Sequence, residues 1–279
     1  MKTDMTNDDL DVCFNLVQDV ARKAGEMIRE AFKQEKQVST KSSLADLVTE
    51  SDKKVEQLII STVKDKFPTH SFIGEESVGD SCVLTDNATW IIDPIDGTTN
   101  FVHRFPYIAV SIALLVQKKT VIGLIYNPIL DQMYTARPGQ GAYCNGEKLQ
   151  VTQTQDLGHA LVCAEFGSSR DSKVLDSKFR SMRKIIEQAH GIRSLGTATM
   201  AMCMVASGKA DAYFEMGPHI WDFAAGDLLV REAGGTVVDT TGGPMDLMSR
   251  RVLCAGTQEL ANQIAASLEQ LDLQRDDCA

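Results

Sequence analysis

Two short apolar runs in this chain stop on acid. Ser71-Phe72-Ile73 runs into Gly74-Glu75-Glu76, and Thr89-Trp90-Ile91-Ile92 runs into Asp93-Pro94. Apolar runs of this length, bounded by turn residues, read as strands. The second strand therefore delivers Asp93 at its carboxyl end. Pro94 fixes its own φ and pushes Asp93 toward extended geometry. The turn that must follow lets Asp93 and Asp96 converge on one point and exposes the Ile95 carbonyl. Gly97 permits close backbone approach. Thr98 and Thr99 open a candidate helix whose N–H groups point at an anion. Two hard carboxylates, a free carbonyl and an anion nest are the parts of a Mg²⁺–phosphate site. An isolated Asp-Pro-x-Asp is equally at home in a capped turn, so its company matters.

That company is acidic and sits at other element ends. One of Glu75 and Glu76 can reach the same point, leaving the other as a loop charge. Trp221-Asp222 opens an apolar helix pattern (Phe223, Ala224, Ala225, Leu228, Leu229). There Asp222 is either an ordinary helix cap or a third metal carboxylate. Glu215 closes the strand pattern ahead of it. Gly196-Thr197-Ala198 joins a strand to a helix, as a plain connection or as backbone amides facing a ligand. If Glu75, Asp93, Asp96 and Asp222 converge, they bring about four negative charges at pH 7. That would repel a phosphate dianion. Two Mg²⁺ ions balance the carboxylates, and a third, loosely held, helps offset the phosphate. Without metal, crowded carboxylates raise one another's pKa.

The chain has 279 residues and a formal charge of −10, with 43% hydrophobic and 24% charged residues. Those values suit a globular enzyme or scaffold. They lack the clustered Lys and Arg that nucleic acid requires. The seven cysteines form no C-x-x-C and are odd in number, which fits free thiols in a reducing compartment. The polar, acidic start has no apolar signal core. Tyr107 to Val116 is too short an apolar stretch to span a bilayer. A cytoplasmic location without membrane partners is expected.

Leu10, Phe14, Val17, Ala21, Ala24, Ile28 and Ala31 recur at helical spacing, with a Thr6–Asp9 capping box ahead of them. Val55 to Val63 gives a second helix, ended by Pro68. Strands are expected at Tyr107–Gln117, Val121–Tyr126, Asp131–Ala136 and Ala142–Cys144, with a hairpin at Asn145-Gly146. From Leu161 onward, strand and helix patterns alternate, ending in a helix over Thr257–Leu271. The expected class is α/β, with an α+β first half and an α/β second half. No linker composition separates the halves, so one compact domain over residues 1–279 is expected, with a weak subdomain boundary near 150. Gln274 to Ala279 reads as a solvated end.

Trp-Ile-Ile-Asp-Pro-Ile-Asp-Gly-Thr-Thr-Asn-Phe-Val-His, Trp90 to His103, resembles the first signature of the inositol monophosphatase family. Trp221 to Gly235 is similar to its second. Gly-Glu-Glu-Ser at Gly74, the run ending at Asp52 and the final Leu-Gln-Arg-Asp-Asp match in order. Pro218 beside His219 departs from the family's usual pattern. The resemblance implies a layered αβαβα sandwich of the sugar phosphatase type and a lithium-sensitive homodimer. It implies Mg²⁺-dependent hydrolysis of inositol monophosphates to myo-inositol and phosphate by metal-activated water. Glu75, Asp93 and the Ile95 carbonyl would hold the first Mg²⁺, and Asp93, Asp96 and Asp222 the second. A third, weaker ion would lie near Glu75 through waters. Gly97 and Thr98 would bind phosphate. Asp96, Gly196, Thr197, Ala198, Glu215 and Asp222 would position the inositol ring, with Ser168 nearby. Asp52 and Thr98 would hydrogen-bond the attacking water.

Three rivals remain at this level. A phosphatase that forms an aspartyl phosphate often carries carboxylates two residues apart in D-x-D-G-T, whereas Asp93 and Asp96 are three apart with Pro94 between. The same fold can act on sugar bisphosphates or 3′-phosphonucleotides. The third rival is a metal-dependent binding module without turnover.

Overall fold

The structure is a computed structural model and describes residues 5–35, 38–41, 47–78 and 82–278. Helix α1 (Asn7–Phe32) buries the expected stripe, including Cys13, Val17, Ala24 and Ile28. Its capping box forms as read, with Thr6 N donating to the Asp9 carboxylate at 3.0 Å. Strands β1 (Val38–Thr40) and β2 (Leu47–Thr49) pair antiparallel ahead of α2 (Glu50–Lys66). Thr49 caps α2, and Asp52 completes a second capping box.

A seven-stranded sheet follows, in order β3 (Ser71–Gly74), β4 (Thr89–Asp96), β5 (Ala109–Val116), β6 (Lys119–Asn127), β7 (Gln132–Arg137), β8 (Gly141–Cys144) and β9 (Glu147–Lys148). Only β3–β4 is parallel. Helix α3 (Thr98–His103) leaves the end of β4. Two expectations are corrected here. β4 does not stop at Asp93 but continues to Asp96, with its register against β5 shifting between those residues. Pro94 has no N–H to pair, so the strand bulges instead of ending. The β5–β6 turn lies at Gln117-Lys118, both at positive φ, one residue ahead of the polar Lys118-Lys119-Thr120. Positive φ at both central residues gives the turn whose twist matches the flanking strands.

The second half contains β10 (Leu161–Ala164), α4 (Ser172–Ile186), β11 (Gly191–Arg193), α5 (Ala198–Ala206), β12 (Ala212–Met216), α6 (Ile220–Glu232), β13 (Thr236–Val238), β14 (Arg251–Ala255) and α7 (Gln258–Ser267). Its sheet runs β11-β10-β12-β14-β13, with the first three strands parallel. The short β13 lacked a readable pattern. Helix α7 ends at Ser267 instead of Leu271, because Leu268 turns extended and Glu269 N donates to Ser181 Oγ on α4 at 2.9 Å.

Strand alternation sorts the layers. Trp90 and Ile92 bury with Val17, Ala24 and Ile59 of α1 and α2, while Ile91 packs on the opposite face with Met202 and Phe223. In the second sheet Cys163, Tyr213 and Cys254 face that same α5–α6 layer. Val162, Phe214 and Leu253 face Ile185 of α4 and Leu260 and Ile264 of α7. The result is the αβαβα sandwich expected. It brings the end of β4 against the starts of α5 and α6. No helix among the described residues is long and apolar enough to cross a membrane.

Candidate active site

Asp93, Asp96 and Asp222 meet where those three elements converge. One carboxylate oxygen from each lies within 4.8 Å of the others. Asp93, in the β4 bulge, is 1% exposed, and its Oδ1 accepts from Ile95 N at 3.0 Å. Asp96 Oδ2 accepts from the Thr197 hydroxyl, from Thr199 N at 2.8 Å and from Thr199 Oγ1 at 2.5 Å. Asp222 Oδ2 accepts from His219 N at 2.6 Å, closing the capping box of α6. The cap and cluster readings of Asp222 thus hold together, since a cap engages one of two oxygens. Burial pushes Asp93 and Asp222 well above the usual carboxylate range. The Glu75 charge adds most to that rise at Asp93, and the Asp96 charge at Asp222. Asp96 is also raised by burial, against the pull of the Thr197 and Thr199 donors.

Glu75 follows β3, its N–H donating to Ile92 O at 3.1 Å. Burial pushes its carboxyl up to about 7. Its Oε1 lies 2.7 Å from Lys41 Nζ, which also stands 2.6 Å from Glu76 Oε1. Lys41 was not marked by any sequence pattern. Asp52 is fully buried on α2 and accepts from Thr49 N at 2.9 Å and from the Thr49 hydroxyl. Burial raises its pKa as well. Thr98 Oγ1 lies 3.2 Å from Asp52 Oδ1 and 3.2 Å from Ile95 O. Asp52, Thr98 and the Ile95 carbonyl are therefore contiguous with Asp93. Gly97 has φ +88, and a Cβ there would sit 3.1 Å from Tyr107 O and 3.3 Å from Gly196 O. Both conformation and crowding require glycine.

A cleft of about 300 Å³ opens beside the aspartates. Asp96, Ser168, Gly196, Thr197, Ala198, Glu215 and Asp222 line it, as the sequence reading grouped them, while Gly97 and Thr98 lie outside its lining. A cleft of about 370 Å³ between α1 and α2 is larger but holds none of the clustered aspartates. Five residues of the smaller cleft's framework escaped sequence reasoning. Glu165 accepts from Ser194 Oγ at 2.7 Å, Leu195 N at 2.6 Å and Gly196 N at 3.0 Å, and burial lifts it to about 7. Asn100 Nδ2 donates to Leu195 O at 2.7 Å and Tyr107 O at 2.8 Å. Thr199 holds Asp96. Buried Lys178 donates to Phe166 O at 2.8 Å, and its charge favours ionised Glu215, which burial raises. Tyr213 Oη donates to Glu215 Oε2 at 2.6 Å.

Residues 9–273 match the model of the inositol monophosphatase family. The chain belongs to the inositol monophosphatase family. Mouse inositol monophosphatase 1 is 54% identical over 268 residues, covering 95% of this chain and 97% of its own. Mouse inositol monophosphatase 2 is 51% identical over 270 residues, covering 96% and 93%. The crystal structure of the extragenic suppressor protein suhB from Bartonella henselae superposes with a TM-score of 0.85 at 33% identity, covering 93% of this chain and 99% of that one. As a family member the chain is a phosphatase.

The donor set of this inositol monophosphatase family member fits a metal ion. Asp93, Asp96 and Asp222 offer oxygen alone, with no Cys or His among them, and the Glu75 carboxyl adjoins Asp93. Oxygen-only donors select hard divalent cations. The Lys41 ammonium bridging Glu75 and Glu76 is positive charge already drawn to that acid.

Proposed function

We propose that this chain hydrolyses inositol monophosphates to myo-inositol and inorganic phosphate, is Mg²⁺-dependent and is inhibited by lithium. The observation that carries the reading is the cluster of three largely shielded aspartates, Asp93 and Asp222 raised well above the usual carboxylate range by burial and by neighbouring acids, beside a polar cleft. Glu75, Asp93 and the Ile95 carbonyl would hold one Mg²⁺, Asp93, Asp96 and Asp222 a second, and a third, weaker ion would lie near Glu75. Bound there, such ions neutralise the carboxylates, lower the pKa of water and offset charge on the departing ester oxygen.

The chain's own groups supply position and proton handling. Thr98 and Asp52 orient the attacking water, and the buried Asp52 carboxylate is the acceptor for its proton, its raised pKa suiting it to that role. The Gly97 and Thr98 amides hold phosphate oxygens. Asp96, Gly196, Thr197, Ala198, Glu215 and Asp222 face the ring hydroxyls, with Ser168 at the cleft's edge. Ionised Glu215 accepts hydrogen bonds from two hydroxyls, which favours a polyol over an aryl ester. The reading also takes the chain as a single domain, a homodimer and a cytoplasmic enzyme.

The test is phosphate release from inositol 1-phosphate across a Mg²⁺ titration, with and without lithium, beside fructose 1,6-bisphosphate and 3′-phosphoadenosine 5′-phosphate. Strict Mg²⁺ dependence, lithium inhibition and preference for the inositol ester are expected. Preference for either alternative overturns the substrate assignment, and turnover without divalent metal overturns the metal assignment.

A further inference from the structure

Gln274 to Ala279 reads as a solvated end, and Gln274, Asp277 and Cys278 are indeed exposed, but Asp276 between them is not. The Asp276 side chain is 4% exposed. Its Oδ1 lies 2.7 Å from His219 Nδ1, and its Oδ2 accepts from Ile220 N at 3.0 Å. Its N–H donates to Met248 O at 3.0 Å, and its carbonyl accepts from Cys82 N at 3.3 Å. Arg275 anchors the segment to Asp246 at 2.5 Å and pairs with Asp277 within it at 2.7 Å.

These bonds converge on one metal-facing carboxylate. Ile220 is the first residue of α6, whose opening N–H groups have no partner within the helix. Asp276 satisfies that first donor. The next residue back, His219, gives its backbone N–H to Asp222 Oδ2. Its ring stacks on Trp221, centroids 4.5 Å apart and planes 11° apart, and its Nδ1 meets Asp276. Arg250 closes the far side, its guanidinium 3.2 Å from His219 Nε2 and 3.7 Å from Asp276 Oδ1. His219 is thus held at its ring by Asp276 and at its backbone by Asp222. The Asp276 carbonyl accepts from Cys82 N, a few residues beyond Glu75. One C-terminal aspartate ties the helix start that carries Asp222 to the segment that follows Glu75.

We propose that Asp276 is a positioning residue: the C-terminal segment fixes the start of α6 so that Asp222 presents its free oxygen to a divalent cation. The proposal rests on the reading above that Asp222 is a metal ligand. Outer partners that orient a ligand are commonly worth about tenfold or more in metal affinity. Asp276→Ala therefore weakens Mg²⁺ binding about tenfold, read by titration calorimetry and by the Mg²⁺-dependent rise in Tm. Asp276→Asn keeps an acceptor for Ile220 N and loses less. In an Asp222→Asn background, Asp276→Ala adds no further loss, because its effect runs through that carboxylate. Arg275→Ala, which frees the segment from Asp246, is the control for general loosening and shifts Mg²⁺ affinity least.

Unchanged Mg²⁺ affinity in folded Asp276→Ala overturns the proposal and leaves the phosphatase reading standing. Equal losses in the Asp222→Asn and wild-type backgrounds overturn it too. If Asp276→Ala does not fold, Asp276→Asn carries the same test. Failure of the wild-type chain to bind Mg²⁺ overturns both readings at once.

Discussion

Asp93 and Glu165 are both buried carboxylates, Glu165 lining the cleft and Asp93 clustered with Asp96 and Asp222 beside it, yet their surroundings oppose each other. Glu165 collects three donors from Ser194, Leu195 and Gly196, so its burial is matched by hydrogen bonds within the protein. Asp93 accepts from Ile95 N and otherwise faces the charges of Glu75, Asp96 and Asp222. Satisfied acid on one wall serves architecture, since Glu165 fixes the loop carrying Gly196. Acid short of donors, as at Asp93, is high in energy until positive charge arrives. The same residue chemistry separates a supporting group from a metal-facing one by the donors around it.

The largest expected effect breaks that comparison outright. Asp93→Asn removes the carboxylate proposed to serve both ions and lowers turnover by about a thousandfold or more at saturating Mg²⁺. It also relieves repulsion, so the metal-free variant melts higher than the metal-free parent and no longer gains Tm with Mg²⁺. Activity assays and melting curves with and without EDTA read both. Substantial activity at saturating Mg²⁺ removes Asp93 from its bridging place.

The metal-free protein offers a gentler contrast through pH. Glu75 and Glu165 are raised to about 7, and Asp93 and Asp222 well above their ordinary values. Between the ordinary carboxylate range and about 7, the folded state holds more protons than the unfolded state. Stability is therefore fullest at low pH in that window and falls as pH rises, by up to about 1.4 kcal/mol per unit for each such group. Melting of EDTA-treated protein from pH 5 to pH 8 should decline. Mg²⁺ should flatten the decline, its gain in Tm growing with pH because it binds the ionised forms. A flat metal-free profile means the acid wall is less strained than its geometry implies.

The contrast also explains what could be read from sequence. Asp93, Asp96, Glu75 and Asp222 were legible because each stands where an apolar run meets acid, although Asp93 proved to lie inside β4 and not at its end. The α/β alternation was legible from the patterns, whereas the layering entered through the family resemblance, because an unbroken apolar run such as Trp90-Ile91-Ile92 does not say which face each residue takes. The supporting groups were not, because their partners are distant along the chain. Lys41 and Glu75 are 34 residues apart, Glu165 and Leu195 are 30, and His219 and Asp276 are 57. Nothing local marks such pairs. Asp52 and its link to Thr98, 46 residues away, entered through the family resemblance alone. The β4 bulge escaped for a related reason: Pro94 reads as a stop until a neighbouring strand absorbs the register shift.

Lys178 sharpens the comparison at the smallest scale, since it supplies charge to the cleft's other acid. It is 6% exposed on α4. A Cβ built on Gly167 would find Lys178 Nζ at 3.3 Å and Glu215 Oε1 at 3.4 Å, so ammonium and carboxylate flank that glycine together. Burial lowers the Lys178 pKa, and the Glu215 charge holds it up. Lys178→Met keeps length and apolar bulk while removing the charge. Glu215 then protonates more readily and accepts ring hydroxyls less well. KM for inositol 1-phosphate should rise about tenfold, the equivalent of about 1.4 kcal/mol. The change in kcat should be smaller, because the three clustered aspartates keep their partners. An aryl phosphate without ring hydroxyls should show little change in KM. An equal rise for both substrates would mean that Lys178 shapes the cleft as a whole and that Glu215 stays ionised without it.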